Sequence, residues 1–189
     1  MAVQDVAFSP TEAALFALGL INGVTRLYSA TELVTTKLRS TRSHAESCRA
    51  VCFSSDGQTL LSASADASIL ACSVESGTPL ARIRHTKAVD RLACISPAQF
   101  AAADESGSIH IWDTRQQEAA CAVQMHRDHV TALVAEPAAH RLLSTSGDGN
   151  LGVMDLRTHK VAVACCSEPH IIAAYVFDLL CMPQQQAFI

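Results

Sequence analysis

The feature that most constrains this chain is an internal repeat. Four segments, 3–29, 48–73, 89–113 and 130–155, align with one another. Equivalent points fall at Ser9, Ser54, Ser96 and Glu136, spaced by 45, 42 and 40 residues. A second set falls at Tyr28, Cys72, Trp112 and Met154, spaced by 44, 40 and 42. A period near 42 is too long for ankyrin or tetratricopeptide units, and leaves a propeller blade or a HEAT-like helical pair.

Local chemistry separates these two. Each unit carries short β-rich runs such as Val6-Ala7-Phe8 and Val24-Thr25-Arg26-Leu27-Tyr28. Turn signals punctuate them at Ser9-Pro10, Asn22-Gly23, Asp56-Gly57, Ser106-Gly107 and Asp148-Gly149. The glycine dipeptides among them supply the positive φ of tight hairpin turns. No segment sustains an apolar stripe at i, i+3, i+4, i+7 over a helical length. Four strands per unit, repeated, make a β-propeller blade. Divided by a period near 42, the 189 residues give about four and a half units. The expected fold is therefore all-β, with a propeller segment over 1–166 (repeats 3–39, 48–84, 89–124 and 130–166) and a non-repeat tail over 167–189.

Ile109-His110-Ile111-Trp112-Asp113 resembles the strand whose closing Trp-Asp pair names the WD-repeat family. His44, His85 and His126 precede the first strand of repeats two, three and four, where that family carries a Gly-His element. The resemblance, over roughly 3–166, implies an incomplete WD-repeat β-propeller: about four four-stranded blades in an open ring. It also implies that blades are pinned by a His, Ser/Thr, Asp, Trp hydrogen-bond set. Repeat two offers His44, Ser62 or Ser64, and Asp66, with Cys72 in place of Trp. Repeat four offers His126, Ser144 or Ser146, and Asp148, with Met154 in place of Trp. Blade-structural roles are expected for His44, Asp66, His126 and Asp148.

Composition narrows the function. The chain is 49% hydrophobic, 5% aromatic and 17% charged, with a net charge of -4. The apolar fraction excludes wholesale disorder, and mild acidity argues against a duplex-DNA binder that neutralises many phosphates. Residues 1–95 hold 9 basic and 8 acidic side chains (net +1), and residues 96–189 hold 5 and 10 (net -5). The basic residues group as Lys37, Arg39, Arg42 and Arg49, then Arg82, Arg84, Lys87 and Arg91. They read as solvated strand ends, or as a rim for RNA or an acidic partner. The 8 cysteines are scattered without CxxC or CxxH spacing, so reduced thiols and no structural metal are expected. The first residues lack the basic and apolar regions of a secretory signal. The apolar run 171–177 falls short of the roughly 20 residues of a membrane span. No GxSxG elbow or phosphate loop is present, so neither enzyme activity nor a cofactor is expected.

Segments 48–58, 102–115 and 146–153 resemble a nucleolar branch of the WD-repeat family linked to ribosome production, whose rings have about seven blades. That resemblance implies a non-catalytic scaffold for protein–protein interaction in ribosomal RNA processing. Nuclear and nucleolar localisation follows from it, with the cytoplasm as a second compartment. The partners would be ribosome-biogenesis factors, with no membrane and no direct nucleic-acid contact. It also reads the chain as a truncated form whose open propeller edges favour self-association or a partner. An alternative rests on 100–115 and 142–157, which resemble the box by which some WD-repeat proteins dock on the adaptor of cullin-4 ubiquitin ligases. The residues expected to bind a partner in this way are Trp112, Asp113, Arg115, Asp155 and Arg157. Ala101 and Met154 depart from that box. Asp113 and Arg115, two apart on a strand, are expected to project from one face.

Overall fold

The computed structural model describes residues 2–165, apart from Glu32 and Gln117. The tail 167–189, with Cys166, lies outside the described residues. The described chain forms four sheets, each a four-stranded antiparallel meander. Blade one comprises β1 (Val3–Phe8), β2 (Leu15–Leu20), β3 (Val24–Ala30) and β4 (Thr35–Arg42). Blade two comprises β5 (Cys48–Phe53), β6 (Thr59–Ser64), β7 (Ser68–Ser73) and β8 (Pro79–Arg84). Blade three comprises β9 (Val89–Cys94), β10 (Gln99–Asp104), β11 (Ser108–Asp113) and β12 (Cys121–Gln124). Blade four comprises β13 (Val130–Glu136), β14 (Arg141–Ser146), β15 (Asn150–Asp155) and β16 (Val161–Cys165), with one 3-10 turn at Pro137–Ala139. The sheets do not close into a ring, as expected of an incomplete propeller.

The hairpins form where the turn residues stand. Gly23 and Gly107, at φ 76° and 83°, turn the second strand of their blade into the third. A Cβ on Gly23 would overlap the carbonyl oxygens of His44 and Glu46, and one on Gly107 those of His126 and Asp128. The same tight turn therefore receives the linker leading to the following blade. Gly23 O accepts the amides of Ser43 and His44, and Gly107 O those of Met125 and His126. Ala67 O, at the equivalent place, accepts the amide of His85.

The core lies between blades. Phe53 and Leu60 of blade two pack with Leu15, Ala17 and Leu27 of blade one. Phe100 and Trp112 of blade three pack with Leu61, Ile69 and Ile83 of blade two. Met125, Val130, Leu142 and Met154 join Ile109 and Ile111 across the next junction. Strands β6 and β10 are covered on both faces, and β10 meets the squeeze with Ala101, Ala102 and Ala103. The register that buries Cys48, Val51 and Phe53 (0%, 4% and 5% exposed) leaves the equivalent Val3, Val6 and Phe8 at 52%, 50% and 67%. That apolar face of blade one is uncovered among the described residues.

The cysteines divide by depth. Cys48, Cys52, Cys72, Cys94 and Cys121 are free thiols. Burial pushes the Cys48 thiol up to about 12, so it stays protonated and packs as a small apolar group.

Candidate functional site

In two blades a linker histidine meets a serine hydroxyl of the second strand. His44, in the linker entering blade two, places Nε2 2.9 Å from the Ser62 hydroxyl on β6. Its Nδ1 lies 2.8 Å from Ser68 Oγ and 3.6 Å from Asp66 Oδ1. Asp66 also accepts the Ala45 amide at 2.8 Å, holding the linker at two adjacent residues. Blade four repeats part of the scheme: His126 Nε2 is 2.7 Å from Ser144 Oγ and Asp148 accepts the Arg127 amide at 2.8 Å, while His126 Nδ1, 3.6 Å from Asp148 Oδ1, is buried without a hydrogen-bond partner. The structure thus selects Ser62 and Ser144; Ser64 and Ser146 instead accept the amides of Asp66 and Asp148. Burial holds both imidazoles below the ordinary histidine range, against the opposing pull of Asp66 and Asp148. Burial works against the Asp66 carboxylate too, yet the Ser68 hydroxyl, the Ala45 amide and His44 bring it below its usual value. Serine, histidine and aspartate stand together here, but Ser62 and His44 are both buried between strands. This arrangement fastens a linker and presents no nucleophile to solvent.

Blade three departs from the scheme. Ala102 stands where blades two and four carry Ser62 and Ser144, so His85 Nε2 and Trp112 Nε1 are buried without a hydrogen-bond partner. His110 faces Ala102 across the hairpin, where Leu70 faces Ser62 and Gly152 faces Ser144. Burial, then the neighbouring His85, depresses the His110 pKa. Nothing in the repeat pattern anticipated this histidine; the signal available was the missing hydroxyl at Ala102.

The five residues expected to bind a partner are placed as follows. Trp112 is a core residue, 5% exposed between blades two and three, and offers no surface. β11 ends at Asp113, and Thr114 and Arg115 form a turn, so Arg115 does not share a strand face with Asp113 as expected. The Asp113 carboxylate captures that turn, accepting the Arg115 amide at 3.0 Å and the guanidinium at 2.8 and 2.5 Å. These bonds take Asp113 down to about 2. Asp155 ends β15 in the same way, accepting the Arg157 amide at 2.7 Å and its guanidinium at 3.2 Å. Both arginines remain exposed, but each is engaged by its own blade.

Half of the basic residues grouped in the sequence also turn inward to the chain. Arg39 donates to the carbonyls of Val74 and Glu75 at 2.9 and 2.8 Å, joining blade one to blade two. Arg49 pairs with Asp90 at 2.5 Å, Arg82 donates to Ser43 O at 2.7 Å, and Arg91 to Thr131 O at 2.7 Å. Asp5 accepts the Val51 amide at 2.8 Å, and burial raises its pKa against that bond. First strands are thereby stitched side by side, which accounts for much of the charge that a rim for RNA would need.

Four-stranded meanders set side by side, with histidine–serine–aspartate pins fastening the linkers, define a WD-repeat scaffold. The WD-domain, G-beta repeat family model matches residues 35–70, from β4 into β7. WD repeat-containing protein 55 of Arabidopsis thaliana is 42% identical over 152 residues, covering 78% of this chain and 42% of that protein. Its counterparts in Rattus norvegicus and Homo sapiens are 34% and 32% identical over 170 residues, covering 88% of this chain and 44% of theirs. Two solved structures, "Structure of U3-55K" and "Crystal structure of RRP9 WD40 repeats", superpose with a TM-score of 0.78 at 20% identity, covering 86% of this chain and 51% of each. The chain is a WD-repeat protein related to WD repeat-containing protein 55. It spans less than half the length of these curated relatives.

Proposed function

We propose that this chain is a non-catalytic scaffold for protein–protein interaction in ribosomal RNA processing, working in the nucleus and nucleolus. The observation that carries the reading is its sequence relationship to WD repeat-containing protein 55 over most of the chain. The site agrees with a scaffold, because its serine–histidine sets are closed and its ionic groups fasten blades together. The repeats over 1–166 form the scaffold unit in this reading. The alternative, docking on the cullin-4 ligase adaptor, draws no support from the comparisons, and Arg115 and Arg157 are both held by carboxylates of their own blades.

Live-cell imaging of the tagged chain tests the location. Nucleolar accumulation that survives Arg115→Ala, Arg157→Ala supports the proposal. Exclusion from the nucleolus contradicts it. Adaptor pull-down by the parent chain that is lost in that double variant would favour the alternative.

A further inference from the structure

Blade three lacks the hydroxyl that pins blades two and four, and in its place it gathers three other groups. His85 comes from the linker entering the blade, Asp104 from the end of β10 and His110 from the middle of β11. One ligand atom from each lies within 4.8 Å of the other two. His110 Nε2 and Asp104 Oδ2 are 3.6 Å apart, and the His85 and His110 rings meet edge to face at 4.3 Å. Each group turns a free atom to this gap. Asp104 commits Oδ1 to the amide and hydroxyl of Ser106, at 2.9 and 2.6 Å, which leaves Oδ2 for the cluster. His85 places Nδ1 3.2 Å from the Lys87 carbonyl. The Lys87 amide lies 3.3 Å from the same Nδ1, and Nε2 is buried without a hydrogen-bond partner; the tautomer that donates Nδ1–H to the carbonyl leaves Nε2 a lone pair for a metal.

We propose that His85, Asp104 and His110 form a three-ligand site for a divalent transition-metal ion, zinc being the ion the set suits. Two imidazoles and one carboxylate are the donors zinc prefers, with a fourth position left to solvent. Zinc bonds of about 2.0–2.2 Å put neighbouring ligand atoms roughly 3.3–3.6 Å apart. The Asp104–His110 pair already stands at that spacing, and His85 closes the rest by a shift of about 1 Å. The ion enters past His85, which is half-buried beside the exposed Thr86 and Lys87. The Lys87 ammonium opposes the cation from solvent, where it is well screened. Bound metal would join the linker to β10 and β11, the task that a histidine–serine bond performs in blades two and four.

The test is a titration of the untagged, chelator-treated full chain with Zn²⁺ in the presence of Mg²⁺. His110→Leu is a mild change because Leu70 occupies the equivalent place in blade two; His85→Gln is the second variant. One saturable site per chain is expected, with a raised unfolding temperature and a weakening on the order of 100-fold or more in each variant. Imidazole NMR signals of His85 and His110 should move on Zn²⁺ addition to the parent chain, a readout that needs no variant to fold. The absence of saturable binding, as expected of a gap holding only water, overturns the proposal. Binding that persists in both variants, with other histidines shifting, overturns it as well.

Discussion

The imidazole of His44 lies 2.9 Å from the hydroxyl of Ser62, so the linker entering blade two is bonded to that blade's second strand. Ser62→Ala leaves His44 Nε2 buried with nothing to bond. The expected cost is about 1–3 kcal/mol of folding free energy, read as a lower urea midpoint. Ser64→Ala, which removes only an acceptor for the Asp66 amide, should cost less. Equal losses would show that the two hydroxyls share the role.

The buried imidazoles also make stability depend on pH. Burial holds His44 and His126 below the ordinary 6.5 in the folded chain. As pH falls through about 6.5 the unfolded chain takes up protons that the folded chain refuses, so stability drops on acidification. The urea midpoint of the parent should fall between about pH 7.5 and about pH 5.5. His44→Gln, His126→Gln should be less stable at neutral pH and lose part of that slope. An unchanged slope would refute the assignment.

Ala67 has φ 58°, where the equivalent Gly23, Gly107 and Gly149 have 76°, 83° and 80°. A side chain in the left-handed region is strained, and glycine relieves it at some entropic cost. Ala67→Gly should raise stability by about 0.5–1 kcal/mol net in denaturant titration. A lowered midpoint would show that the Ala67 side chain packs better than its backbone suffers.

The uncovered face of blade one predicts self-association. Phe8 is 67% exposed where Phe53 is 5% exposed. Sedimentation velocity of the full chain should show mass rising with concentration. Val6→Thr, Phe8→Ser should suppress that rise with little loss of stability, since both side chains already face water. A parent chain that stays monomeric throughout would mean that this face is covered in solution.

Much of the fold was legible because propeller hairpins announce themselves. Asn22-Gly23, Asp56-Gly57, Ser106-Gly107 and Asp148-Gly149 each turn on a glycine at positive φ. Gly23, Gly107 and Gly149 mark the second hairpin of blades one, three and four, whereas Gly57 marks the first hairpin of blade two, whose second turns on Ala67. The pins were legible through the family pattern, although only the hairpin register could choose Ser62 over Ser64. Arg115 was misplaced because alternation says nothing about where a strand stops. The Asp113 carboxylate draws the Arg115 amide and guanidinium back, and β11 ends two residues before Arg115, short of what a shared face requires. The cluster of His85, Asp104 and His110 left only the missing hydroxyl at Ala102 as a trace in the sequence. Its members come from three elements, and only the pairing of β10 with β11 and the linker's path unite them.

The scaffold account is tested most directly by affinity purification of the tagged chain from nuclear extract, with mass spectrometry of what it retains. The account predicts enrichment of pre-ribosomal proteins over an unrelated β-propeller control, retained in Arg115→Ala, Arg157→Ala. Recovery of no pre-ribosomal component above that control would contradict it.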